Sequence, residues 1–442
     1  MADAKRLIQE SIKRVEIDEN KAREADAVLK IAYYDFDKPL LKERLEQYID
    51  RNETDIPYTF TNITQKVIDR KSMVYKQPPV RITGENEYPE LTIDKDSSIK
   101  INERQTNLLG RTGFHVFWDE DKFGYNTLQY FVPIEVVNGK IISMMYPLNN
   151  DLKDRRLWVF WSPEHHMVVD GLGNPVKNQS KYGITRDDLS NPYDSIPFVF
   201  PYRKEPVGGI WVEGAGDVVN GNEQINVLLS TLNFLDRYAS FKQPWIKGVG
   251  LKDQNIEFGY NKLVALETTG QDGSDLGVLD IQADLAQKVE SIKFQVELLL
   301  HNNDLKIRFG GEGSATSGFQ LIVENIDLLT FWGDMVPIWR KHERDIYEVE
   351  KMVYSEETSK SLPEKMVVDF AEISFPVSES EKQQKREWML KNGLTSKLKI
   401  LMEDNPDRAK EDLQQELDEF AAEAPEPEVP PRQGLGDIVR GL

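Results

Sequence analysis

Cysteine is absent from this chain, and with it go disulfides, thiol nucleophiles and thiolate metal sites. Long apolar runs are absent too, since none approaches the ~18–20 residues of a membrane span. Charged residues interrupt residues 1–20 throughout, so no signal peptide is expected. Histidine is scarce. Of the five, His165 and His166 are adjacent, which in a strand sends them to opposite faces, poor geometry for one metal. The other three are scattered, and no Ser-His-Asp spacing is found. No catalytic residue, cofactor or metal is therefore expected. Basic residues are outnumbered, 55 against 75 acidic, for a formal charge of −20. That balance excludes tight non-specific coating of DNA, which needs a basic face to neutralise phosphates. It does not exclude a protein that surrounds DNA and must avoid sticking to it. A reducing, aqueous compartment is the expected setting.

What is present is globular in character: 442 residues, 39% hydrophobic and 29% charged, enough for two or three compact units. Residues 4–50 carry a helical pattern dense in charge and sparse in apolar residues, which reads as a peripheral arm. Residues 59–75 read as a helix with Ile63, Val67, Ile68 and Val74 on one side. It runs into the extended stretch 77–82, where Pro78 and Pro79 stop it. A short helix over 98–109 is closed by Gly110. From Gly113 the period changes to that of strands. The runs 114–118 and 127–132 flank the charged stretch 119–124 and predict a hairpin, its Asp119, Glu120 and Asp121 reading as a solvated tip. Further strands are expected over 140–146, 157–161, 167–169 and 196–201.

Glycines at 208–216 mark a break. The next helix places Val218, Ile225, Leu228, Leu232, Leu235 and Ala239 on one face, with asparagines, Glu223 and Asp236 on the other. It stops at Pro244. Short β-like pieces fill 244–281 (245–249, 262–266 and 277–281), and a second helix returns with Leu285, Val289, Ile292, Val296 and Leu299 as its stripe. The pattern is helix, small β insert, helix: two antiparallel rods bearing a knob.

The stretch 310–329 follows, with four glycines and three hydroxyl residues in its first half. Ser317 and Gln320 have the spacing of a capping box. A P-loop needs a lysine and a hydroxyl after its last glycine, whereas Phe319 and Gln320 follow Gly318. A long helix then carries Leu321, Ile322, Ile326, Leu329, Val336, Trp339 and Ile346, with Pro337 predicted to kink it. A strand over 366–375 precedes two or three short helices over 378–420, jointed at Gly393 and Pro406. The end, 421–442, is rich in Pro, Glu and Gly and reads as disordered in isolation.

This order resembles the portal proteins of tailed bacteriophages, of the siphophage-like type, over nearly the whole chain. The resemblance rests on VYKQPPV (74–80), on 110–132, on the helix–insert–helix, on SATSGFQLIVENIDLL (314–329) and on REWMLKNGLTSKLKILMEDNPD (386–407). It departs from the family at Gln77 and Gln320. The resemblance implies an α+β, portal-like ring subunit with a helical stem, small α/β clip, α/β wing and helical C-terminal crown. It assigns 1–213 to the wing, 214–243 and 284–304 to the stem, and 244–283 to the clip. Residues 305–375 become tunnel loop, kinked helix and the rest of the wing, and 376–442 crown and acidic tail. Gly311, Glu312, Gly313, Ser314, Thr316, Ser317, Phe319, Leu321 and Ile322 would be the tunnel loop facing double-stranded DNA, with Lys288 and Lys293 on the channel face of the stem.

The implied assembly is a homo-oligomeric ring of about twelve at one capsid vertex of the virion, made in the host cytoplasm and outside any membrane. Its implied partners are the terminase large subunit, which holds the ATPase, the major capsid and scaffolding proteins, and a head–tail adaptor. The chain would not be an enzyme. Two other readings stay open: a nucleotide-dependent α/β enzyme using the glycine-rich loop 310–318, and another ring-forming virion or tail connector.

Overall fold

A computed structural model describes residues 2–15, 17–49, 58–84, 88–148, 157–184, 186–240, 243–248, 264–267, 275–279, 285–306, 326–371, 379–393, 395–404 and 410–423. The chain is mixed α and β. It divides into two compact units, Met1–Glu312 with Glu324–Ile373, and Gly313–Val323 with Ser374–Leu442.

Three helices open the first unit: α1 (Ala2–Val15), α2 (Asp18–Asp35) and α3 (Lys38–Leu45). Asp37 caps α3 by accepting from the Leu40 amide, with Pro39 in the first turn. The expectation of a peripheral arm is overturned. Ile8 and Val15 of α1 are buried against Val132, Ile134, Phe160 and Met167. Those residues belong to a four-stranded antiparallel meander: β4 (Val132–Val137), β5 (Lys140–Pro147), β6 (Leu157–Trp161) and β7 (His166–Asp170). Tyr33 and Leu41 pack on Val219 farther along the chain. Apolar residues in this arm are few, but Ile8, Ile12 and Val15 are spaced +4 and +3. That puts all three on one helix face, enough to cover a sheet.

Helix α4 (Ile63–Lys71) buries Val67 and Ile68 as expected. After it, β1 (Val80–Ile82) pairs antiparallel with β12 (Val367–Asp369). Helix α5 (Tyr88–Leu91) and helix α6 (Lys95–Leu109) follow, and Gly110 ends α6 at φ +89. The hairpin differs from expectation. Strand β2 (Gly113–Asp119) pairs with β3 (Lys122–Leu128), so the returning strand starts at Lys122 and only Thr127 and Leu128 of the expected run 127–132 take part. The turn is only Glu120–Asp121, both in the left-handed region at φ 43 and 69, which matches the twist of the strands. Gly124, which looked like a turn residue, lies inside β3 opposite Phe117, where a Cβ would overlap the ring. Strand β8 (Phe198–Val199) completes the β3-β2-β8 sheet.

Across this sheet lies the longest helix, here α9 (Ile326–Thr358). Trp339, Ile346 and Val353 are buried on it, within one core that also holds Tyr75, Phe114, Phe123 and Phe370. The helix also buries charge. Arg81 forks onto Glu343 at 2.6 and 3.0 Å and reaches Asp96 at 2.6 Å. Lys95 Nζ lies 2.9 Å from Glu350 and 3.4 Å from Glu343. Tyr88 and Tyr125 each donate to Glu350 at 2.7 Å, and Tyr75 donates to Glu343 at 3.0 Å. Lys95, Glu343 and Glu350 are fully buried. Burial alone would raise the Glu343 carboxyl. Lys95 and Arg81, with hydrogen bonds from Arg81 and Tyr75, outweigh that and hold it below the usual range.

Removing one member leaves the rest buried and unbalanced, so Lys95→Met is expected to cost about 3–5 kcal/mol. Urea unfolding measures it, and a loss below about 1 kcal/mol would show the cluster to be dispensable.

Acid is expected to destabilise this unit. Burial pulls His342 down to about 4, and it pulls His115 and His166 down to about 3. Their contribution is complete above about pH 6.5 and is lost as pH falls toward those values; His342 alone accounts for about 3 kcal/mol. Glu103, pushed up to about 7 by burial against amide bonds from Val74 and Tyr75, works in the opposite direction between about 4.5 and 7. Three groups outweigh one, so the urea midpoint should fall between pH 6.5 and 4. A flat or rising midpoint contradicts this account.

Candidate functional site: the paired rods and their insert

Helix α7 (Gly216–Ser240) leaves the body of the unit where two glycine backbones cross. A Cβ on Gly214 would overlap the Leu108 carbonyl, and one on Gly110 the Val212 carbonyl. The Ala215 amide donates to Leu108 O at 2.8 Å across this crossing. Helix α8 (Leu285–His301) returns antiparallel to α7. Gly221 of α7 sits under Leu299, and Asn303 just past α8 donates to Asp217 at 3.2 Å. Between the rods is one three-stranded sheet: β9 (Gln243–Gly248) at the centre, parallel to β10 (Val264–Glu267) and antiparallel to β11 (Asp275–Leu279). Helix, β insert and helix thus follow the expected order, with α7 ending at Ser240 and the strand taking in Pro244.

The two faces of α7 are not distributed as expected. Asn222 and Asn226 have no exposure, and Glu223 and Ser230 are buried with them. Leu228, Leu232 and Leu235 are only half-buried. Asn222 Oδ1 accepts from the Ile63 and Thr64 amides, both at 2.9 Å, and its Nδ2 donates to Thr61 O at 2.9 Å. Asn226 accepts from the Thr61 amide at 2.8 Å, and Ser230 from Thr59 at 3.0 Å. Glu223 receives a fork from Arg44 at 2.8 and 3.2 Å. The polar stripe therefore caps α4 and ties α7 to α3. Its spacing, 222, 226 and 230, is +4 and +4, a signal that was open to reading.

On α8, Ile292 and Leu299 face inward, while Val289, Phe294 and Leu298 are exposed, Phe294 by 63%. Lys288 is exposed, and Lys293 pairs with Glu290 at 2.7 Å one turn away. Gly311, Glu312, Gly313, Ser314, Thr316, Ser317, Phe319, Leu321 and Ile322 lie outside the described residues. The chain on either side of 307–325 is brought close, because Lys306 meets Asp327 at 3.3 Å. Lys71 fastens the same region, pairing with Asp304 at 3.2 Å and lying 4.5 Å over the Phe331 ring. Pro337 is exposed within α9, and the helix continues on both sides of it.

In the second unit, α10 (Glu379–Lys391), α11 (Lys397–Asp404) and α12 (Lys410–Glu423) are the expected run of short helices. Gly393 takes φ +69 between the first two, as a joint requires. Arg386 forks onto Asp404, and Leu413 is fully buried. Among the described residues no group of three or more acidic or histidine side chains could hold a metal, and no helix is long and apolar enough to cross a membrane. No protein-family model matches the chain, and no curated protein matches it either.

Asn222→Leu keeps the volume but orphans the first amides of α4, a cost of about 2–4 kcal/mol by urea unfolding. A loss below about 0.5 kcal/mol would mean that water takes over those donors.

Proposed function

We propose that this chain is a portal subunit: one copy of a closed ring at a single capsid vertex, through which double-stranded DNA is packaged and ejected. In this reading α7 and α8 are the stem, the β9–β11 sheet is the clip, and the body around α9 is the wing. The C-terminal helices are the crown. A separate terminase motor would drive the DNA, so the chain itself is not an enzyme, and a head–tail adaptor would dock later.

The observation that carries the reading is the antiparallel α7–α8 pair with a compact sheet inserted between its rods, whose α8 leaves Val289, Phe294 and Leu298 uncovered within the chain. A heterologous, closing contact between neighbouring copies is the symmetric way to cover such a face. The charge agrees. At −20, the protein repels a polyanion over about a Debye length, ~8–10 Å. Lys288 and Lys293 then offer brief phosphate contacts without holding the DNA.

Negative-stain imaging of the purified protein, with native mass measurement at several salt concentrations, tests this. The expected result is a ring with a central hole, of about twelve copies as the family resemblance implies. A monomer under all conditions, and none incorporated into procapsids, would end the reading. Phe294→Glu separates assembly from folding: its unfolding free energy should stay within about 0.5 kcal/mol of wild type while rings are lost. Rings that persist would move the interface away from this face of α8.

A further inference from the structure

A cavity of about 590 Å³ opens at the root of α7, between α2, the end of α6 and the connection from β3 to β4. Its charged lining is balanced: Arg23, Lys30 and Arg111 against Asp26, Glu213 and Asp217. The hydrogen bonding is not balanced. Lys30 is held by Asp26 at 2.5 Å, and Asp217 by Asn303 at 3.2 Å. Arg111 is only 8% exposed, yet no carboxylate pairs with it among the described residues. Its Nη1 donates to the Ile210 carbonyl, while its Nε is buried with no acceptor. Glu205 is engaged elsewhere, by Tyr202 at 2.6 Å and Lys341 at 3.1 Å. Arg23 Cζ lies over Trp211, 3.5 Å from the ring centroid, with Nη2 donating to Asn20 Oδ1 and Nε without an acceptor.

A buried cation without a counter-charge is unfavourable, and burial pulls Arg111 down to about 10. We propose that the cavity binds a carboxylate-bearing ligand, whose oxygens take the remaining Nη donors of Arg111 and Arg23, the Nε atoms being sealed off, and whose hydrocarbon body lies against Phe131 and Trp211. One negative charge fits better than two. Either anion can take the guanidinium fork, but a phosphate dianion would be repelled more strongly by Asp26, Glu213 and Asp217 than a singly charged carboxylate. The first turn of α7, beginning at Gly216 in the lining, adds its partial positive charge. The carboxylate has two sources, a free organic acid or an acidic side chain of a second copy, and the second rests on the ring reading.

Thermal unfolding of the full chain with 4-phenylbutyrate, and separately with inorganic phosphate, tests the chemistry. The expected result is a saturable rise of about 3 °C with the carboxylate, smaller in Arg23→Gln and absent in Arg111→Met. An equal rise with phosphate overturns carboxylate selectivity. Arg111→Met alone should unfold no lower than wild type, and a clear fall would show the guanidinium already satisfied and overturn the site. If phenylbutyrate has no effect, native mass distinguishes the second source. Rings lost in Arg111→Met with the subunit's midpoint intact assign the carboxylate to a neighbouring copy, and rings unchanged overturn the proposal. If wild type forms no rings, the portal reading fails by itself and the cavity stands or falls on the phenylbutyrate shift.

Discussion

Two carboxylates and two cations sealed inside the main unit constrain nearly everything around them. Glu343 and Glu350 are seven residues apart on α9, two turns, so both leave the helix on one face. Lys95 stands between them at the first residue of α6, and Arg81 arrives from β1. Tyr75, Tyr88 and Tyr125 close the remaining oxygens from three further places in the chain. Such a cluster adds little net stability over an apolar core of equal volume, because desolvation offsets the attraction. Its effect lies in register. Sliding α9 by one turn would part Glu343, Glu350 and Lys95, three buried charges, from their partners, which is far costlier than a misplaced leucine. The aromatic packing of Tyr75 on Trp339, 5.3 Å between centroids and edge-on, is then set in one arrangement.

A second polar device sits at the root of the rods. Asn222, Asn226 and Ser230 bond backbone groups of 59–64, and Glu223 takes Arg44. The Gly110–Gly214 crossing lets the two backbones approach as only glycine allows. Both fix the direction in which α7 leaves the body through groups with strict geometry. Apolar contact would have held it less specifically, since hydrophobic burial is not directional.

Much of this was legible in the sequence, and the failures have physical causes. The order of strands, the helix–insert–helix and the joint at Gly393 follow from period changes and glycine chemistry, which act locally. The α7 faces did not follow, because a rule that sends asparagine to solvent cannot see a distant segment whose amides need capping. The hairpin slipped because Gly124 looks like turn material, while its real role is to make room for Phe117 across the strand pair. The buried charges were invisible for the same reason as the asparagines. Lys95, Glu343 and Glu350 look like ordinary solvated helix residues until residues some 250 positions apart are brought together. Nor does any local signal mark Arg111, which stands beside a glycine at a helix end and acquires its meaning from the cavity.

These features bear on how such a subunit would work in the proposed ring. The buried charges and most of the polar stripe find partners within one chain, although Asn226 Nδ2 is buried without an acceptor. Phe294 and Leu298 of α8 are among the apolar side chains left exposed, and burying them would contribute about 1.5–3 kcal/mol each. That is weak for a single pair of copies, which must also offset the lost freedom of association. A closed ring changes the sum, because n copies make n contacts where an open chain makes one fewer, and the closing contact adds no new translational cost. Modest apolar faces on rigidly rooted rods therefore favour closed rings over pairs or open fragments, provided the root angle is held. The glycine crossing and the asparagine stripe hold it. In the proposed ring the polar root of α7 would matter to assembly, since the angle it sets would decide whether the ring can close.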